Sequence, residues 1–303
     1  MRQYLDLLQD VLDNGTIRDD RTGVGTIATF GRQIRFNMAD GFPAVTTKAL
    51  AWKAVVSELL FFLEGSTNEH RLAEIKNDNK PYAELTEKER KTIWTANYES
   101  QGKALGYTDG DMGRIYSIQY RGFRGITEAK YKQDKWYNFV EVDQVKNVIN
   151  EIKNNPNSRR LLVSAWNPVD LNNCVLPPCH ILYQFDVDGD KLSLMWVQRS
   201  VDCGTGLPFN IASYALLLHI VARITGKIPH ELIGSLGNTH IYKNHIEQVK
   251  EQLSRTPHKL PQLELPANAD YSNIDLFLKS VKTSDFKLLN YEHDAPLKYP
   301  MAV

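Results

Sequence analysis

The sequence predicts an α+β fold built on a mixed sheet, and three observations carry that expectation. Two strand-like runs meet at Asp188-Gly189, two long apolar stretches keep helical spacing, and further strand-like runs flank them along the chain. With 303 residues, 42% of them hydrophobic, one substantial core can be buried. A single domain over residues 1–303 is therefore expected, with surface insertions near 75–92 and 122–138.

Taken in order, Leu5, Leu8 and Leu12 mark a short amphipathic helix that stops at Gly15, expected as a left-handed cap. A polar loop, Asp19 to Gly25, carries Arg21 and precedes Thr26–Phe30 and Gln33–Phe36, which read as a hairpin broken at Gly31. From Lys48 to Glu64, the positions Trp52, Val55, Val56, Leu59 and Leu63 predict a well-buried helix with Glu58 inside it. The stretches 75–92 and 122–138 are polar and lysine-rich, and between them lie Trp94 and the aromatic run Tyr116–Phe123.

A helix near 142–154 leads through Ser158-Arg159-Arg160 into a buried strand, Leu161–Ala165. His180–Val187 and Lys191–Val197 alternate on either side of Asp188-Gly189, a strong hairpin signal. That hairpin carries Cys179 at one foot and Gln198-Arg199-Ser200 at the other. Asn210–Arg223 is again helical and apolar, ending at Gly226, and a polar helix near 243–254 follows Gly234–Tyr242.

Composition excludes several functions. Lys+Arg and Asp+Glu are equal at 36 each, so no bulk field draws in DNA or an anionic membrane. No stretch is expected to reach the roughly 18 apolar residues of a membrane span, and charges interrupt the N-terminal apolar pattern. Cys174, Cys179 and Cys203 are odd in number and lack paired CxxC spacing, so neither a disulfide framework nor a metal site is expected. A reducing cytoplasm fits this cysteine usage.

The chemistry centres on Cys179, held after Pro177-Pro178 at a strand start. An inert buried thiol is the competing reading, and nearby arginine is what would favour a thiolate. Arg21, Arg159, Arg160, Arg199 and Ser200 together would bind a phosphate, although Arg159 and Arg160 also read as plain surface charge. Asn210 offers donor and acceptor side by side, as an imide face demands, or else caps a helix. Glu58 in an apolar helix should have a raised pKa suited to proton exchange, unless it sits in a core salt bridge. His240 and Tyr242, two apart on a strand, share a face and could bind a sugar hydroxyl. Gly23-x-Gly25 is too little for a nucleotide fingerprint and reads as a turn.

In order, Arg21-Thr-Gly, Leu-Pro-Pro-Cys179-His180, Gln198-Arg199-Ser-Val-Asp202, Gly206-Leu-Pro-Phe209-Asn210 and Thr-His240-Ile-Tyr242 resemble the thymidylate synthase family over essentially the whole chain. The resemblance implies a large mixed sheet covered by helices, with one sheet face as a homodimer interface. It implies that Cys179 adds to C6 of dUMP while 5,10-methylenetetrahydrofolate, with no metal, supplies the one-carbon unit. By the same resemblance Arg21, Gln198, Arg199 and Ser200 bind the nucleotide, and Arg159 and Arg160 reach its phosphate from a second subunit. Asn210 reads the uracil edge, His240 and Tyr242 the 3'-hydroxyl, and Asp202 the pterin. Glu58 manages protons through water and Tyr116 helps remove the C5 proton. Trp94, Gly206, Phe209 and Val303 form the folate end.

Departures from the family pattern cluster at that end. Cys203-Gly204-Thr205 stands where a large apolar pair is usual, Arg114 where proline is common, and Ser117 and Tyr120 where glycine and tryptophan are usual. Thr95 and Asn97 stand where an acid and often an aromatic are found, and Asn238 where many members have aspartate. The alternative reading is a deoxyuridylate hydroxymethylase, in which water replaces hydride; a dCMP version would call for aspartate at Asn210. A nucleotide-binding relative without turnover and a Cys-His hydrolase are further alternatives. The second is opposed by His180 pointing away from Cys179 on a strand.

Overall fold

The structure, a computed structural model, describes residues 1–20, 23–131 and 134–300, with the side chains of 129–135 outside that description. The first half of the chain forms α1 (Arg2–Asn14), β1 (Thr16–Arg18), β2 (Thr26–Asn37), α2 (Trp52–Glu64), α3 (Glu69–Lys76), α4 (Glu87–Arg90), α5 (Thr95–Asn97) and α6 (Tyr116–Arg121). Next come β3 (Phe123–Tyr131), β4 (Asp134–Val142), α7 (Gln144–Asn154), β5 (Leu162–Ser164), β6 (His180–Asp188) and β7 (Lys191–Asp202). The remainder is α8 (Gly206–Thr225), β8 (Ile228–Tyr242), α9 (Ile246–Ser254), β9 (Gln262–Glu264), α10 (Ile274–Ser280) and β10 (Lys287–Leu289).

These elements fall into two compact units, one of Met1–Val56, Cys179–Asn268 and Ser284–Val303, the other of Ser57–Pro178 and Ala269–Thr283. The first holds the sheet strands β1-β2-β8-β7-β6 in that spatial order. All pairs are antiparallel except β7 with β8, which are parallel and joined by α8 as the crossover. The expected mixed sheet and the hairpin at Asp188-Gly189 are both present, with Gly189 taking φ +58° in the turn.

Three local expectations are corrected here. Gly15 is extended (φ −76°, ψ 149°) rather than left-handed. Its lack of a side chain serves close approach instead, since a Cβ there would sit 2.4 Å from the Val11 carbonyl and 2.5 Å from Ile27 Cγ2. Residues 26–37 form one strand, not a hairpin, because both halves pair with β8 and Gly31 (φ +74°) only interrupts the ladder. Finally, α8 is long and apolar enough to cross a membrane, against the expectation that no stretch would be. Its side chains are packed inside the protein on nearly every side, which is why it carries no polar face. Gly226 ends it in the left-handed conformation (φ +68°).

In the second unit, residues 75–92 are partly helical. They close α3, turn at Tyr82–Glu84 and form α4, which a Thr86/Glu89 capping box starts. Within 122–138, Phe123–Tyr131 and the residues from Asp134 onward belong to the antiparallel β3–β4 ladder, paired from Phe123↔Val142 to Tyr131↔Asp134. Ile126, Trp136, Tyr137 and Phe139 stand exposed on it, so its alternation matches no buried face and the strands escaped sequence reading. Helix α2 begins at Trp52 rather than Lys48. The strand expected at Leu161–Ala165 shortens to β5 and is one-sided, with Leu161, Val163 and Ala165 buried but Leu162 exposed.

Candidate active site

The first unit gathers one set of the expected residues through strand register. Cys179 lies immediately before β6, half-buried, and the Arg199 backbone N–H on β7 donates to its carbonyl at 2.8 Å. Thiol and guanidinium residues are thus direct neighbours across the pair. On β7, Gln198, Ser200 and Asp202 share a face, and their parallel neighbours on β8 are Leu236, Asn238 and His240. Asn210 enters from the second turn of α8, which removes the reading of it as a helix cap.

Hydrogen bonds then fix the polar groups. Buried Gln198 accepts from Trp196 Nε1 at 3.1 Å and donates to the Ser200 carbonyl at 3.0 Å and to Asn210 Oδ1 at 3.2 Å. This leaves Asn210 Nδ2 as donor and the second Oδ1 lone pair as acceptor, which is the pattern an N3–H/O4 edge requires. His240 is nearly buried, its Nδ1 meets Asn238 Oδ1 at 2.8 Å, and its ring lies edge-on to Tyr242 at 5.2 Å. Burial lowers its pKa, so the ring is neutral near pH 7. Asn238 was not among the expected site residues, and its spacing of two from His240 was the available signal.

Asp202 closes the turn into α8. Its Oδ1 accepts from Gly204 N at 2.9 Å and Thr205 N at 3.3 Å, and Thr205 Oγ1 bonds its Oδ2. Gly206 opens the helix and Phe209 is half-buried on it. Lys48, also missed in the sequence, is buried with its ammonium on the Gly204 carbonyl, and desolvation lowers its pKa to about 8. His180 points into the core, its Nδ1 2.7 Å from the Tyr214 hydroxyl, and burial pushes its pKa down to about 3. It is a neutral packing histidine, unsuited to serve Cys179 as a base.

The second unit gathers another set around α2. Glu58 Oε1 accepts from Trp94 Nε1 at 2.7 Å, and desolvation raises its pKa to about 7. Among the described residues no cation offsets it, so the salt-bridge reading falls away there. Phe62 stacks on Tyr116 at 4.9 Å and meets Trp94 edge-on at 6.2 Å, forming an apolar wall about the acid. The unusual residues nearby have local partners. Thr95 and Thr92 both donate to buried Glu69, at 2.6 and 2.7 Å, and anchor the Trp94 segment. Arg114 bonds Asp170 at 2.9 Å and the Gly122 carbonyl at 2.7 Å.

Arg159 and Arg160 are exposed on the turn after α7. Arg21 and Val303 lie outside the described residues.

A family model described as thymidylate synthase matches residues 2–303. The chain belongs to the thymidylate synthase family. It is 49% identical to the thymidylate synthase of Enterobacteria phage T4 and 46% to the probable thymidylate synthase of Escherichia phage T5, each covered over the full length of both proteins. The thymidylate synthase of Listeria monocytogenes serotype 4a (strain HCC23) is 44% identical, again over both full lengths. A crystal structure of thymidylate synthase from T4 phage superposes with a TM-score of 0.87 at 47% identity, covering all of both chains. A thymidylate synthase fold, a mixed sheet with helices, is therefore present.

Proposed function

We propose that Cys179 is the nucleophile with which this thymidylate synthase-family enzyme converts dUMP to dTMP, using 5,10-methylenetetrahydrofolate as cosubstrate. The observation that carries the reading is the Arg199–Cys179 backbone pairing, which sets a guanidinium-bearing residue directly across from the thiol. Cys179 adds to C6, and the resulting enolate makes C5 nucleophilic toward the one-carbon unit. C5 attacks the methylene carbon of the folate iminium, and loss of the C5 proton then expels tetrahydrofolate to leave an exocyclic methylene on the nucleotide. Hydride transfer from that tetrahydrofolate to the methylene expels the Cys179 thiolate from C6, giving dTMP, dihydrofolate and free enzyme. Asn210, oriented by Gln198, reads the uracil edge; His240, oriented by Asn238, and Tyr242 read the 3'-hydroxyl. Arg21, Arg199 and Ser200 take the phosphate. Asp202, Trp94, Gly206, Phe209 and Val303 serve the folate.

Glu58 carries protons, because a carboxyl with a pKa of about 7 exchanges them readily at neutrality. Tyr116, in the same aromatic wall, assists removal of the C5 proton. Arg159 and Arg160 complete the phosphate site of a second subunit, for which their exposure leaves them available. Light scattering on the purified protein checks this, and a monomer that turns over would overturn it.

The hydroxymethylase alternative is not favoured, as the relatives above are named thymidylate synthases. Incubation with dUMP and methylenetetrahydrofolate, following dihydrofolate by absorbance and nucleotide by mass, tests the choice. Equimolar dihydrofolate and dTMP are expected; hydroxymethyl-dUMP without dihydrofolate would overturn the assignment.

A further inference from the structure

Gly204 stands where the family pattern has a large apolar residue, and the space is not empty. A Cβ built on Gly204 would lie 3.0 Å from Tyr299 Cε1, 3.1 Å from Tyr299 Cδ1 and 3.0 Å from His245 Nδ1. The ring of Tyr299, near the chain end, therefore occupies the volume into which a side chain at 204 would grow.

The ring is held from several sides within the first unit. Its hydroxyl donates to Gln252 Oε1 at 2.7 Å, and fully buried Gln252 donates in turn to Thr47 Oγ1 at 3.0 Å. Lys48 Nζ lies 4.2 Å from the ring centroid, and His245 meets it edge-on at 5.0 Å. The next residue is fixed too, since the Pro300 carbonyl accepts from His245 Nε2 at 2.7 Å. Lys48 also bonds the Gly204 carbonyl, while Asp202 holds the Gly204 N–H. One turn, Asp202 to Thr205, is thus gripped on its backbone by Lys48 and Asp202 and covered on its bare α-carbon by Tyr299.

We propose that Tyr299 supplies the wall beside Asp202 that the missing side chain at Gly204 leaves open, so that position 299 sets how tightly and in what orientation this chain holds its folate. The two positions are complementary in volume: a large side chain at 204 excludes the ring at 299, and a small residue at 299 leaves a cavity over Gly204. Folate orientation then depends on a segment that is not part of the sheet. Without the Tyr299 ring the pocket loses its wall, and water gains access to the one-carbon end. This rests on the assignment of Asp202 to the folate made above.

The test is a swap in the full-length enzyme, with the parent's own dTMP formation checking the functional reading separately. Tyr299→Ala should raise the KM for methylenetetrahydrofolate about tenfold or more and release some hydroxymethyl-dUMP, while dUMP binding measured without folate shifts less than about twofold. Gly204→Phe should show the same split by expelling the ring. Combining them should recover most of the loss, a non-additivity expected only of residues that share one volume. Should Gly204→Phe not fold, Tyr299→Phe decides: it keeps the ring but loses the bond to Gln252, so it should lose about threefold at most and remain well ahead of Tyr299→Ala. A parent that makes dTMP together with a Tyr299→Ala variant of unchanged folate KM would overturn the proposal. So would equal losses for Phe and Ala, or a double variant as poor as the product of the singles.

Discussion

The two sets of site residues are held by different physics. In the first unit, Gln198, Ser200, Asp202, Asn238 and His240 take their places from the register of β7 with β8, and hydrogen bonds fix which atoms donate. In the second, Glu58 accepts a side-chain hydrogen bond from Trp94, and its character comes from the apolar helix and aromatic rings about it. The first set suits recognition, since the Gln198 and Asn210 amides have fixed donor and acceptor directions. The second is organised for proton movement, since desolvation sets a pKa and not a contact pattern.

The proposed nucleophile ranks above both sets, and Cys179→Ser should lower turnover by at least about 10³-fold, since hydroxyl is a poor nucleophile without a base. Retained dTMP formation would end the covalent reading. Glu58→Gln keeps the volume and the Trp94 contact but no longer exchanges a proton, so kcat should fall by about 10²-fold or more. The measurement that sharpens the contrast is dUMP affinity, which should hardly change. In the recognition set the expectation reverses: Asn210→Asp should cost about 10²-fold with dUMP and improve the ratio of dCMP to dUMP use. Gln198→Ala should lose about tenfold through the same Asn210 amide, and the pair should be non-additive in a double-mutant cycle.

The smallest effects are on stability, and they have opposite signs in the two units. Burial raises Glu58 from 4.5 to about 7, so its contribution is full below about pH 4.5 and lost as pH rises through 7. Burial lowers His180 from 6.5 to about 3, so its contribution is full above pH 6.5 and lost as pH falls toward 3. Thermal melts against pH should show Glu58→Gln gaining on the parent on the alkaline side by about 1 kcal/mol or more. A His180→Gln variant should flatten the acid side instead. Matching pH profiles for the two variants would remove the contrast.

Legibility in the sequence follows the same division. Glu58 could be found by periodicity alone, because an acid inside an i, i+3, i+4 run of Trp52, Val55, Val56 and Leu59 has nowhere polar to go. Cys179 and Arg199 could be paired because Asp188-Gly189 fixes the hairpin that joins them. The Gln198–Asn210 bond could not be read that way, since it joins a strand to a helix across an irregular turn. The strand β2 was misread for a related reason: Gly31 looks like a turn unless its partner β8, far along the chain, is known. The exposed aromatic residues on β3–β4 hid a hairpin, and the filling of Gly204 by Tyr299 was invisible because no local pattern links them.

The route of the chain through the sheet has a consequence for synthesis. β2 ends by Asn37 yet its partner β8 begins at Ile228, so the central ladder of the first unit waits until most of the chain has left the ribosome. Most of the second unit is the continuous stretch Ser57–Pro178, which is available far earlier. A nascent chain arrested before residue 228 would therefore leave β2 without its partner, its edge open to other strands, and would lack His240 and Tyr242 altogether.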